Sequence, residues 1–319
     1  MKPRYCLGFD IGGSTFRVGV VAAGHDENRC VDFFSTPLLP EDRPPALLAA
    51  KIAEMAEGVS RQWGPLDHVG IALAAQLTKG GEISIGAPNL NSPDADWADV
   101  PVTELFRRYV LADHLDPPSL SVMNDLNAIL CGEHRAGAAV GEEDVLAFYL
   151  GTGLGGAVLA DGRILEGSGG LAGEVGHLKR PVALGEPIRC GCGQENCLET
   201  LVGGRYLPEQ YRRHGGSARE VELTAAEIDR RAAGGEAAAL GLWSQIVDEL
   251  GHVVSAAVAM TNPGTVLFGG GVLQNSPTLF SMLTRRILNE GASILSPHFG
   301  VRLGTLGDQA GVIGAALWA

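Results

Sequence analysis

The chain has 319 residues, 45% of them hydrophobic, which is enough to bury the cores of two ordinary domains or one large one. Its 24 basic residues stand against 37 acidic ones, a net charge of -13 that argues against a nucleic-acid-binding body but not against small anions held by local amides. No apolar signal-peptide core follows the N-terminal "MKPRYCLGFD" and no run of 18 apolar residues occurs, so a cytoplasmic address and no membrane partner are expected.

The first strand is expected over residues 4–11, "RYCLGFDI", followed by a "GGST" turn and a second strand at 16–23. Residues 44–63 show helical spacing with proline at the start. Residues 68–77, "HVGIALAAQL", read as one buried strand, and about 78–98 as a polar loop. A helix is expected over 102–115, with Thr103 as its N-cap. Residues 119–139 read as a strand running into a helix, with Asn124 and Asp125 at the join.

The pattern then repeats. A strand at 144–150, a "GTGLGG" turn and a strand at 157–165 echo the N-terminal unit about 140 residues later. A loop-rich region runs to about Pro208, followed by helices over 223–235 and 236–262. "PGTVLFGGGV" reads as a strand into glycines, residues 276–291 as a helix and 308–319 as a short closing helix. Two similar α/β halves are expected: residues 1–122, joined by the closing helix at about 307–319, and residues 123–306.

Glycine is in excess, 45 of 319 residues, roughly twice ordinary usage. Without a Cβ, a glycine turn lets backbone N–H groups approach an anion. The turns in question hold Gly12 and Gly13, then Gly151 and Gly153, then Gly269 and Gly270. "GTGLGG" fits G-x-G-x-x-G but opens a strand, so it is not a dinucleotide fingerprint, and any one such turn could be a plain hairpin. Two in repeated halves point to phosphate. Ser14, next to Thr15, and Thr152 offer hydroxyls to phosphate, and Asp10 suits a water-bridged Mg²⁺ or a structural cap. Arg17 reads as a strand charge.

Six cysteines in 319 residues do not make a disulfide scaffold, yet Cys190, Cys192 and Cys197 fall within eight residues, with His177 thirteen positions upstream. Three sulfurs and one nitrogen complete a tetrahedral set, the closed form of a structural zinc site. The alternative is a group of buried or redox-active thiols. Cys6, Cys30 and Cys131 are isolated and read as packing residues. A zinc loop here would fix a polar wall of Glu174, His177 and Glu199, acceptors suited to sugar hydroxyls.

In this order, "DIGGSTFR", "NDLNA", "LGTGLGG", "GGLAGEVGH", "CGCGQENCLE" and "VLFGGGV" resemble the ROK family of repressors, open reading frames and sugar kinases, over essentially the whole chain. The resemblance implies an actin/hexokinase-like fold of two ribonuclease-H-like halves around a cleft. ATP and Mg²⁺ would lie between the glycine turns and a sugar deeper in. By position, Asp125 matches the family's catalytic base. Asn124, Asn89, Glu174, His177 and Glu199 match its sugar contacts. His177 with Cys190, Cys192 and Cys197 matches its zinc ligands. Read alone, Asp125 would as readily be a helix cap.

The implied activity is ATP-dependent phosphorylation of a hexose, glucose first, in a homodimer or homotetramer. N-acetylglucosamine, N-acetylmannosamine, fructose, mannose and allose are rival substrates. A ROK repressor would need several tens of residues before Asp10, and a non-catalytic sugar sensor would have no need of Asp125 with both turns. Polyphosphate as donor would want a basic groove, for which "HLKRP" supplies only Lys179 and Arg180. Three features depart from the family pattern. Ser14 stands where threonine is usual, Asn196 where glycine is usual, and the loop "PNLNSPDADW" is longer.

Overall fold

A computed structural model describes residues 4–24, 28–112, 117–180, 185–217, 223–291 and 298–318. The contacts divide the chain into two units: Met1–Gly141 with Ile164–Ala172 and Thr305–Ala319, and Glu142–Arg163 with Gly173–Gly304.

In the first unit, β1 (Arg4–Ile11), β2 (Thr15–Ala23), β3 (Arg29–Pro37), β4 (Leu66–Leu73) and β7 (Ser119–Asn124) form a sheet in the order β3-β2-β1-β4-β7. The first two pairings are antiparallel, while β1, β4 and β7 run parallel. β1 is buried on both faces over most of its length, as expected of a central strand in a covered sheet. Helices α1 (Pro45–Trp63), α2 (Val102–Val110) and α3 (Asp125–Ala136) complete this run, with a small hairpin of β5 (Gln76–Leu77) and β6 (Ser84–Gly86). Phe9, Ile11, Phe16, Leu48, Ile71, Trp97 and Phe106 are fully buried at its core.

The second unit repeats the plan. β8 (Val145–Leu150), β9 (Leu154–Ala160), β10 (Arg163–Ile164), β11 (Thr265–Gly269) and β12 (Gly300–Leu303) lie in the order β10-β9-β8-β11-β12. Again the hairpin pair β8–β9 is antiparallel, and β8, β11 and β12 are parallel. The helices are α4 (Glu199–Val202), α5 (Leu207–Arg213), α6 (Ala225–Ala233), α7 (Ala237–Thr261), α8 (Gly271–Gln274) and α9 (Pro277–Gly291). Asp229 ties three of them together. Its buried carboxylate accepts from the Trp243 indole at 2.9 Å and from the Thr278 and Leu279 amides, each at 3.1 Å, at the start of α9. That charge satisfies a helix N-terminus that would otherwise bury unpaired donors.

The last helix, α10 (Ala310–Leu317), returns to the first unit. It packs on β1, β4 and α3 with backbone against backbone. A Cβ at Gly8 would collide with the Val312 carbonyl, and one at Gly70 with the Ala315 carbonyl. α3 therefore belongs with the first unit, and the break falls near Gly141 rather than near residue 122. Glu133 of α3 fastens the same join, accepting from the Leu306 amide at 2.9 Å and the Ala138 amide at 2.8 Å.

Several local expectations need correction. The apolar run 68–77 is two strands, because the chain turns at Ala74–Ala75 while Ala75 and Leu77 stay buried. The stretch 157–165 is interrupted at Asp161–Gly162, both with positive φ, which make a tight turn between β9 and β10. Strand β3 lies in a stretch for which no element was expected; it is an edge strand whose burial shows no clean alternation, and its register against β2 shifts between Val20 and Val21. Thr103 does not cap α2: Pro101 is the N-cap, and the Thr103 hydroxyl donates to the Gly81 carbonyl at 2.7 Å. The expected end of that helix, residues 113–115, lies outside the described residues, as does Ala319 of the closing helix.

His68 in β4 is 3% exposed, with its ring nitrogens 2.8 and 3.0 Å from the Ser119 and Ser121 hydroxyls of β7. Burial holds its pKa below the usual 6.5. A depressed histidine contributes stability above its unfolded pKa, and that contribution is lost as pH falls through the folded value. Melting temperature should therefore fall from pH 7.5 to 5.5 more steeply in the wild type than in His68→Gln. Parallel curves from thermal melts would remove His68 as the cause.

Candidate active site

Parallel pairing lines up strand ends. Ile11 of β1 is in register with Leu73 of β4, and Leu73 with Asn124 of β7. Asp10 and Asp125 therefore lie on one edge of one sheet, two strands apart, roughly 10 Å by strand spacing. In open α/β sheets this carboxyl edge is where ligands bind.

Asp10 is 6% exposed. Burial pushes its carboxyl above the usual range, and Arg17 pulls it back down. The Arg17 guanidinium donates to Asp10 Oδ2 at 3.2 Å and to Asp308 Oδ1 at 3.0 Å. Arg17 is thus more than a strand charge. The pairing was available to a sequence reader, because counting outward from the centre of the turn, between Gly13 and Ser14, sets Asp10 directly across from Arg17. The turn is closed by the Gly12 amide on the Thr15 carbonyl at 2.9 Å, with Ser14 exposed at its tip and Thr15 opening β2.

Asn124 is the N-cap of α3. Its Oδ1 accepts from the Leu126 amide at 2.9 Å and the Asn127 amide at 3.3 Å, and its Nδ2 donates to the Ala75 carbonyl at 3.1 Å. Much of the bonding capacity expected to meet a sugar thus aims the first turn of the helix. Asp125 is the first residue of that turn, half-buried, and accepts from the Leu126 amide at 3.0 Å. Asn89 is exposed on the loop that follows Ala87.

In the second unit, Gly151, Thr152 and Gly153 leave the carboxyl end of β8, and Gly269 and Gly270 leave the neighbouring β11. Gly270 has φ of 86°, and a Cβ there would strike the Leu150 carbonyl, so glycine is required. The 151–153 turn is braced from behind. Gly204 donates to the Gly151 carbonyl at 2.8 Å and Arg205 to the Thr152 carbonyl at 3.2 Å.

The thiol loop touches this turn through one side chain. Glu199, at the start of α4, accepts the Leu154 amide at 3.1 Å on Oε2, and its Oε1 lies 3.5 Å from Cys190 Sγ. A Cβ on Gly153 would collide with the same carboxylate. Cys190 Sγ is 3.7 Å from His177 Nδ1, and Cys192 and Cys197 are 3.7 Å apart. Glu174 Oε2 stands 3.5 Å from the other ring nitrogen of His177. The four candidate ligand atoms all lie within 4.8 Å of one another. Thiolates about 2.3 Å from a tetrahedral zinc would sit roughly 3.8 Å apart, so the donor set fits that ion. Asn196 has φ of 54°, so asparagine fills the left-handed position where glycine is usual. Burial pushes the Cys190 thiol up to about 12, and a cation would have to displace that proton.

Asn124→Ala should cost about 1 kcal/mol in denaturant melts by removing the cap, and Asn124→Asp should retain most of it. Equal losses in the two variants would show that the cap is not what the side chain provides.

The ROK family model matches residues 6–319. A glucokinase of Halalkalibacterium halodurans is 29% identical, covering 98% of this chain and 94% of its own. An N-acetyl-D-glucosamine kinase of Pectobacterium atrosepticum is 30% identical, covering 97% of each. Among solved structures, a ROK family glucokinase from Streptomyces griseus in complex with glucose and AMPPNP matches with a TM-score of 0.73 at 26% identity, over 98% of each chain. The repeated sheets are those of the actin/hexokinase-like fold, and the chain belongs to the ROK family.

Proposed function

We propose that the protein transfers the γ-phosphoryl group of ATP to a hexose hydroxyl, with glucose as the first substrate. The observation that carries this reading is Asp125 at the carboxyl edge of the first sheet, aimed by the Asn124 cap and sharing that edge with Asp10 and the Gly12–Gly13 turn.

A sugar hydroxyl is a weak nucleophile. Asp125 would accept its proton as the oxygen attacks the γ-phosphorus and ADP leaves. Mg²⁺, brought with ATP, neutralises phosphate charge. Asp10 is assigned to its water shell, with Arg17 favouring the ionised carboxylate. Ser14, Thr15 and Thr152, with the glycines of their turns and Gly269–Gly270, are assigned to the phosphates. Asn89, Asn124, Glu174, His177 and Glu199 are assigned to the sugar, although Asn124 and Glu199 also carry the structural bonds given above.

Zinc would be held by His177 Nδ1 and the three thiolates. With four protein ligands it keeps no open position, so its role is to hold the loop. The His177 nitrogen facing Glu174 then stays available to that wall. ATP is favoured over polyphosphate because the two cations of "HLKRP" are committed. Arg180 makes a two-point ion pair with Glu249 at 2.7 and 3.0 Å, and Lys179 donates to the Glu195 carbonyl at 2.7 Å. An N-acetylglucosamine kinase is the second reading, supported by the 30%-identical relative.

ADP release with Mg-ATP, measured over glucose, mannose, fructose, allose, N-acetylglucosamine and N-acetylmannosamine, tests the proposal. Turnover should peak on glucose and fall by at least about 100-fold in Asp125→Asn with little change in sugar KM. A peak on an N-acetylated sugar would move the substrate to the second reading. Near-normal turnover in Asp125→Asn would remove it as the base.

The zinc has its own check. Elemental analysis should find about one zinc per chain, and Cys192→Ser should lose metal, melt earlier and show a several-fold higher sugar KM. A metal-free Cys192→Ser of unchanged stability and activity would overturn the assignment.

A further inference from the structure

Arg43 belongs to no motif in the sequence. It sits between the short turn Pro40–Asp42 and α1, half-buried, and it meets two segments that are far apart in sequence. Its Nη2 donates to the Gly13 carbonyl at 2.8 Å and its Nη1 to the Asn89 carbonyl at 3.3 Å. Its own carbonyl accepts from the Trp97 indole at 3.0 Å. Trp97 is fully buried, and its amide donates to Asn91 Oδ1 at 3.1 Å, so the far end of the long "PNLNSPDADW" loop is anchored at the same residue. Gly13 and Asn89 are pressed together: a Cβ on Gly13 would come within 2.7 Å of the Asn89 Cβ.

We infer that Arg43 is a positioning residue that fixes the distance between the Gly12–Gly13 turn and the Asn89 loop, and so sets how a sugar hydroxyl is presented to the phosphate. The inference rests on the kinase reading above, which assigns the turn to phosphate and Asn89 to sugar. The chemistry suits a guanidinium. It is a planar fork whose donors reach two acceptors at once, which a single ammonium cannot reproduce. The contact is to backbone carbonyls, so it holds segments in place without depending on their side chains. Its Nε is buried without a partner among the described residues, so the group is committed to these two acceptors at some cost. Misplacement of reacting groups by about 1 Å can cost on the order of 100-fold in rate, so such a brace would show in kinetics.

Arg43→Met and Arg43→Lys separate this from simple anchoring of a loop. Arg43→Met removes both carbonyl contacts and should raise sugar KM about tenfold by letting the Asn89 loop shift, and should lower kcat at saturating sugar and ATP. Arg43→Lys should fall between the two, with one donor group in place of a fork. Hydrogen exchange on the ligand-free protein should quicken in both 12–17 and 87–97 in Arg43→Met. A merely stabilising residue would lower the melting temperature while leaving KM and kcat per folded enzyme unchanged. That result, or exchange raised in only one segment, overturns the inference. If the wild type phosphorylates no sugar, the kinase reading fails, and the exchange measurement still decides whether Arg43 joins the two segments.

Discussion

Parallel strand pairing is the constraint from which the rest follows. Three strands that run the same way must end on the same edge, and each then hands its chain to a turn or a helix there. In the first unit that edge collects Asp10 with its glycine turn from β1, the bend at Ala74–Ala75 from β4, and Asn124–Asp125 from β7. In the second it collects Gly151–Gly153 from β8 and Gly269–Gly270 from β11. Within each unit, the groups proposed for chemistry therefore share an edge because of register, although they are more than a hundred residues apart in sequence.

The closing helix enters this plan at its weakest point. Asp10 is a buried carboxylate, and burial pushes its pKa above the usual range. Arg17 counters that, and Arg17 is itself held from the other side by Asp308, just before α10. α10 can come that near because Gly8 and Gly70 let its backbone lie on β1 and β4. A methyl group at either position would lift the helix, and Asp308 with it. The glycines inside the strands and the charge at the site are thus one arrangement, not two.

Much of this was legible in the sequence, and the misses share a cause. Sequence spacing carries local chemistry well. The His177–Cys190–Cys192–Cys197 set, the glycine turns and the strand-to-helix join at Asn124–Asp125 are all local, and all lie where the pattern puts them. What failed was anything decided by a partner far along the chain. Thr103 has cap chemistry but gave its hydroxyl to Gly81. Strand β3 went unread, because it is an edge strand with no clean apolar alternation and is held by its pairing to β2. The apolar run continued through the bend because Ala75 within it and Leu77 after it are both buried. Arg43 has no motif around it, because its acceptors are backbone carbonyls at residues 13 and 89.

The two units solve one problem with opposite charges. A glycine turn is useful to a phosphate because it is small and loose, and it must still be held still. In the second unit a carboxylate does this: Glu199 takes the Leu154 amide just past the turn, and its other oxygen reaches the thiol loop. In the first unit a guanidinium does it, by taking the carbonyl of Gly13. The choice has consequences for an anion. Glu199 binds a donor outside the turn proper and adds negative charge nearby, which the thiol loop would keep at a fixed distance once the proposed zinc holds it. Arg43 occupies a carbonyl oxygen, which would repel phosphate, and brings positive charge with it. By this reasoning the first turn would be the better electrostatic match to the phosphate proposed for it, and the second would gain its precision from the proposed zinc loop behind it.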